Sequence, residues 1–543
     1  PRVLQWLSAG HWFWIHTPDA RMNDRACGME WMSAPLLLFT RTDRLLFVLN
    51  FVPYVLLPGL FFTVWRQFGV SGRVSWWWMW LAPTMYGFLL QAGSTGNDIF
   101  PVIYLLAAMA FAFRLGETRN FSDLAYSTVS MALAIGAKPT ALPLCLPWAL
   151  ILARAAGIGD KGASAGALLE GIARGWKRNF WKALAVAAVA LLISFLPTAL
   201  LNIHYCGDWS GAKIENKGLA VGNPIVGIWG NGMLLLFKNF FPPLFPWAGW
   251  WNEAGPRLLP GFIYRPMAAN FEPGFHVIGE VPTEEWAGAG FGISVLVLVS
   301  LIAGWFLRRR ASAGKTWDKF GFLLRGSCWV ALLAFCAKSG MVDAARLAAP
   351  YYPFLLPALL TGRGQSRVTR QRWWRLLAAV VFLLALMVLV IAPARPLFPA
   401  RTLLAKLEAS HPQSHSLQRA ENVYTVFGER SDPLAAVRNL LPAGLRVVGF
   451  MGTQDDIDVS LWRPFFSRRV EYVMLGDSGK SLRERNLRYI VVGDYHLKQQ
   501  GVALDSWLKK VNAELVAQTT AIQKLSEGPQ IWYVVRLRGA EPK

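Results

Sequence analysis

Between residues 45 and 394 the chain returns ten times to apolar stretches of about 15 to 21 residues. A helix needs about 20 apolar residues to cross the hydrocarbon of a bilayer. Only helices and closed barrels can cross it, because each backbone polar group must find its partner within the protein. The stretches predict spans at 45–64, 74–92, 99–114, 120–137, 139–157, 183–203, 288–307, 326–342, 347–361 and 376–394. Pro139 disfavours helical geometry in the residue before it, so a break is expected at Lys138. Charged residues make up only 16% of the chain, where a soluble domain carries about 25%.

A formal net charge of +22 could suggest a nucleic-acid partner. The Lys and Arg residues, however, form short clusters between the apolar runs, as in the cytoplasmic loops of membrane proteins, and no nucleic acid is expected. The segments 65–73, 114–122, 154–182, 308–325 and 363–375 hold 21 of them, and the opposite set (93–98, 138, 204–287 and 338–346) holds 8. The first set is therefore read as cytoplasmic. Residues 1–44, 93–98, Lys138, 204–287, Arg346 and everything after 395 then fall on the outer face. Three regions follow: an outer interfacial segment 1–44, a membrane domain 45–395 and a soluble domain 396–543. In the last, charge rises and short β-rich runs at 446–451, 469–474, 488–492 and 531–537 alternate with helical stretches, which predicts a small α/β domain. Ser431-Asp432-Pro433 reads as a helix start. The turn GTQDD at 452–456 lacks the glycine spacing of a nucleotide site. The five cysteines form no CxxC pair and the histidines no HExxH, so no metal site is expected.

Charges beside spans are costly and mark function more often than chance. Asp98, with Asn97, closes a loop of about six residues between two spans, so it stays near the membrane surface; capping of the following helix is the plain alternative. The segment from His16 to Glu30 carries Arg21, Asp24 and Glu30. An amphipathic helix explains most of its charges, but Glu30 lies among Met29, Trp31 and Met32, and an acid in apolar surroundings tends to titrate high. Lys138 stands alone between two apolar helices and must snorkel or pair. Arg346 can grip phosphate in a bidentate fork, or pair locally with Asp343. The loop 204–287 holds Lys213, Glu215, Lys217, Lys238, Glu253, Glu284 and Glu285, and its apolar part, 224–247, reads as an interfacial or re-entrant helix.

The opening PRVLQW, the stretch ending GMEW at 28–31, STGND at 94–98, AIGAKPT at 135–141 and ARLAAPYYPFLLP at 345–357 together resemble the bacterial GT-C glycosyltransferases, a superfamily that includes protein O-mannosyltransferases and the lipid A aminoarabinose transferase. The resemblance covers about residues 1–395 and implies a mainly α, polytopic helical bundle in the bacterial cytoplasmic membrane. It implies an inverting transfer from a polyprenyl-phosphate sugar to a hydroxyl or amine on a glycan, lipid or protein. In such enzymes an acid just before a stretch like PRVLQW acts as general base. Here it would lie before Pro1, so a longer chain is expected, and the site of this one would be incomplete. The resemblance gives Asp98 an orienting role and places Lys138 and Arg346 at the donor phosphate. Glu30 is a second catalytic candidate, and Asn97, Arg21 and Asp24 are candidates for substrate binding. No cofactor is implied with certainty, and a divalent metal stays open because relatives differ.

Two rivals are a transporter or flippase of lipid-linked substrates and a membrane scaffold with an outer binding domain. A transporter needs polar groups or broken helices near the bilayer midplane, whereas the polar candidates here cluster at one face.

Overall fold

The computed structural model describes residues 1–157, 165–211, 213, 220–308, 319–362, 364–454, 456–524 and 528–539, with the backbone alone over 165–178 and at 308. Glu215 and Lys217 lie outside the described residues. The chain is mainly helical and forms two compact units: residues 26–29 with 46–392, and residues 1–25, 30–45 and 393–543.

The first unit is a helical bundle. Among the described residues, four helices are long and apolar enough to cross a membrane: Val48–Gln67, Phe100–Thr118, Lys319–Cys336 and Arg372–Ile391. Asn179–Ile193 with Leu196–Cys206, bent by 50°, adds a fifth if the bent pair is one span. The remaining apolar stretches form shorter or broken helices. The stretch 74–92 becomes Gly72–Leu81, a 3₁₀ turn at Ala82–Thr84 containing Pro83, and Tyr86–Gln91. The stretch 347–361 yields only Tyr352–Leu360, about 14 Å of helix at 1.5 Å per residue. The stretch 326–342 is shifted, its helix ending at Cys336. Hydropathy reads composition along the chain, and proline breaks the backbone without lowering it.

Arg372–Ile391 shows why this unit belongs in lipid. It buries Trp374, Ala378, Val381, Ala385 and Val388 against the bundle, yet exposes Leu376, Val380, Leu383 and Leu386. A helix apolar all round, with one face uncovered, needs a hydrocarbon solvent. The core is aromatic: Phe61 stacks on Trp65 at 4.9 Å, and the Trp65 indole donates to the Pro353 carbonyl at 2.7 Å. As predicted, the helix Phe121–Ala137 stops at Lys138, whose extended backbone leads into a 3₁₀ segment, Pro139–Leu144. Gly136, just before the break, lies flush with Ile193, where a Cβ would overlap the carbonyl oxygen.

The second unit centres on a five-stranded sheet, β1 (Val447–Met451), β2 (Arg469–Tyr472), β3 (Tyr489–Gly493), β4 (Ala513–Ala521) and β5 (Gln530–Leu537), in the order β2-β1-β3-β5-β4. β1 is parallel to β2 and β3, whereas β5 runs antiparallel to both β3 and β4. Four of these strands are the predicted ones. β4 (AELVAQTTA) lacks a strong β signal and is held by its pairing to β5. The expected helix start at Ser431-Asp432-Pro433 is not one: the helix there is Ala435–Asn439, and Asp432 binds Arg438 instead. The first helix, Arg2–Ala9, meets the β2 edge, where the Gln5 amide donates to the Val470 carbonyl at 2.8 Å. That covers an edge that would otherwise be open to pairing.

Candidate functional site

In the bundle, four separate stretches of chain end at one cluster of charge. Asp98 closes the 92–98 loop. Asn50, on Val48–Gln67, fixes this loop by donating to the carbonyls of Ser94, at 3.0 Å, and Gly96, at 2.5 Å. Gln91 grips Asp98 twice. Its amide donates to the carboxylate at 2.5 Å, and its carbonyl accepts from the Asp98 backbone N–H at 3.2 Å. The capping alternative fails, since Phe100–Thr118 has no side-chain cap.

The carboxylate of Asp98 is paired with the Lys138 ammonium and lies 3.8 Å from Arg346 Nε. Arg346 Nη2 is 3.4 Å from Asp343, and Asp343 is 3.7 Å from Lys238 Nζ. The result is a row, Lys138–Asp98–Arg346–Asp343–Lys238, of three cations and two carboxylates. Asp98, Lys138 and Lys238 are 3%, 6% and 3% exposed, and the Arg346 side chain 25%. Burial pushes the Lys238 ammonium below the usual lysine range; Asp343 opposes the fall and Arg346 adds to it. Lys238 also donates to the Val342 carbonyl at 2.5 Å.

The frame is rigid. Asn239, next to Lys238, accepts from the Ala289 N–H at 2.7 Å and from the Tyr352 hydroxyl at 2.9 Å. The Tyr351 hydroxyl donates to the Thr140 carbonyl at 2.6 Å, tying the Arg346 stretch to the Lys138 break. Within it, Arg346 is unsatisfied. Among the described residues its side chain makes no hydrogen bond: its Nε is buried without an acceptor, and the carboxylate oxygens of Asp98 and Asp343, at 3.8 and 3.4 Å, pair with it by charge outside hydrogen-bond geometry. Lys238 is on the buried face of Pro224–Asn239; the exposed face of that helix presents Met233, Leu236 and Phe237, which with Phe240 line an apolar groove of about 440 Å³.

Of the residues singled out in the sequence, Asp98, Lys138 and Arg346 are thus brought together. Asn97 lies beside Asp98, half-buried, with no ion pair or hydrogen bond of its side chain among the described residues. Glu30, Arg21 and Asp24 belong to the other unit. Glu30 is not left in apolar surroundings: Arg2 holds it at 2.6 Å. Arg21 donates its backbone N–H to Asp19 at 3.0 Å, and buried Asp24 has Arg25 at 3.8 Å. Sequence reasoning missed Gln91 and Lys238 as site members. Lys238 carried a signal, as the lone charge inside the apolar run 224–247.

No protein-family model matches the chain, and no curated protein is similar to it. Two crystal structures of ArnT from Cupriavidus metallidurans are similar in fold. The apo state is 13% identical with a TM-score of 0.47, and the form bound to undecaprenyl phosphate is 11% identical with a TM-score of 0.45. Each match covers 100% of this chain and 93% of the other. Likeness at these values assigns neither an activity nor site residues to this chain.

Proposed function

We propose that this chain is a membrane glycosyltransferase that takes a sugar from a polyprenyl-phosphate donor and passes it, with inversion, to a hydroxyl or amine acceptor at the outer membrane face. One observation carries this reading: a largely buried row of three cations and two carboxylates in which, among the described residues, the Arg346 side chain makes no hydrogen bond. Such a row has room for one more anion. A phosphate suits the planar fork of Arg346, and the apolar groove on the exposed face of Pro224–Asn239 suits an apolar tail.

In the reaction the acceptor attacks the anomeric carbon, the bond from that carbon to the phosphate oxygen breaks, and the acceptor proton passes to a carboxylate base. Negative charge grows on the departing phosphate. Arg346 and Lys138, fixed beforehand, stabilise that charge more than they do the ground state. Asp98 positions these cations and does not take the proton, since its oxygens already face Lys138, Arg346 and Gln91. The charges favour surface chemistry over transport, because each stands at the end of a helix or in a turn and none at the middle of a candidate span.

The test is retention of a long-chain polyprenyl phosphate by the purified full chain, read by native mass spectrometry. Lys138→Ala with Arg346→Ala is expected to lower retention about 100-fold, the loss of two charge-assisted contacts. Equal retention by the wild type and the double variant would falsify the phosphate assignment.

A further inference from the structure

The helix Phe100–Thr118 has a charged site at each end. It runs 19 residues, about 28 Å, from the loop of Asp98 to Arg119. At the Arg119 end a cavity of about 220 Å³ opens between three helix ends, lined by Phe113, Gly116, Arg119, Ile151, Arg154 and Phe320, among others. Arg119 stands in the left-handed backbone region, with φ 54°, which an L side chain adopts only when something holds it. Its guanidinium donates to the Ala155 carbonyl. Arg154 lies over the Phe320 ring at 5.8 Å. Asp123, the carboxylate packed at this helix end, is engaged by Arg114 at 3.4 Å and by the Thr118 hydroxyl at 2.5 Å.

We propose that this cavity binds the phosphate of an anionic phospholipid headgroup. The plain alternative is that both arginines only satisfy helix C-terminal carbonyls. One carbonyl, however, engages one of the five donors of Arg119, and Arg119 lines the cavity. The source of the phosphate is a lipid because the cavity sits among apolar helix ends. Phe100–Thr118 and Lys319–Cys336 are both candidate spans, and Phe322 and Leu323, just past Phe320, are exposed where acyl chains would lie. The Lys and Arg counts read this end as cytoplasmic, the leaflet rich in anionic lipid. The site is independent of the Asp98 row and stands if that row binds something else.

The experiment uses the full chain in nanodiscs of equal phosphatidylglycerol and phosphatidylcholine, extracted gently and weighed by native mass spectrometry. The wild type is expected to keep one phosphatidylglycerol, with at least about tenfold preference over phosphatidylcholine. Arg119→Gln with Arg154→Gln should lose that preference. Equal retention of the two lipids by the wild type, or an unchanged preference in the variant, overturns the proposal. Release of the lipid by excess inorganic phosphate would make the site one for free phosphate and overturn its lipid source. Should the glutamine variant not fold, Arg119→Lys with Arg154→Lys replaces it. Lysine keeps the charge but not the fork, so a several-fold lower preference is expected, and an undiminished one counts against the proposal.

Discussion

Arg346 in the bundle and Arg438 in the sheet-containing unit are buried to the same degree, with 25% and 20% of the side chain exposed, and each has a carboxylate within reach. Arg438 commits three of its five donors. It grips both oxygens of Asp432, at 2.7 and 2.8 Å, and donates to the Ser460 carbonyl at 2.8 Å. Arg485 is similar, meeting Glu471 and Asp477 at 3.1 Å each and the Tyr472 carbonyl at 2.5 Å. The Arg346 side chain has charge neighbours but no hydrogen bond among the described residues. An arginine that holds a fold commits most of its donors to fixed acceptors. One that holds a ligand keeps them back, and its neighbours keep it soluble in the interior without satisfying it.

The contrast can be broken most forcefully at Asp98. Asp98→Ala leaves Lys138 buried without this partner, and removing one member of a buried pair costs about 3–5 kcal/mol. Thermal unfolding in detergent should fall accordingly, and a variant as stable as wild type would mean that the row is not held as a unit. Next in size is Arg438→Gln, expected to cost about 2–3 kcal/mol through its lost charge-assisted hydrogen bonds while leaving polyprenyl phosphate retention intact. Arg346→Gln should do the reverse, costing under about 1 kcal/mol of stability while lowering retention about tenfold. The two arginines would have to be classed alike if both variants moved the same quantity.

The smallest effect is a pH dependence. Burial raises the Asp432 carboxyl, but the hydrogen bonds from Arg438 and Ser460 and the charges of Arg438 and Arg463 outweigh it, and the group sits below its usual range. A depressed folded-state value contributes stability that is present above the unfolded value, about 4, and lost as pH falls through the folded one. Stability should therefore drop between about pH 5 and pH 3, and Arg438→Gln should flatten that drop. Equal slopes in the two proteins would separate Asp432 from the acid response.

How much of this was legible in the sequence depends on whether the signal was local. The break at Lys138 follows from the next residue, Pro139, and four of the five strands follow from their β-branched runs. Asp98, Lys138 and Arg346 stood out because isolated charges beside apolar helices are costly. What the sequence hid was pairing. Arg2 neutralises Glu30 from 28 positions away, Gln91 holds Asp98 as an ordinary polar residue would not suggest, and β4 exists because β5 is beside it. The helix break at Pro83 was likewise masked by apolar sequence on both sides.

The contact of Gln5 with Val470 spans 465 positions, and it sets a timetable. The unit that includes β2 is assembled from both ends of this chain, with the whole bundle encoded between them. At about 5–20 residues per second, the helix Arg2–Ala9 waits roughly 20 to 90 seconds for the strand it covers. During that interval buried Gln5 lacks its acceptor on β2, although Trp6 already has Trp12 and Trp31 to pack against. The keeping of the helix is then a matter for the membrane surface or a chaperone, and a stalled or shortened product would leave it orphaned and open to proteolysis.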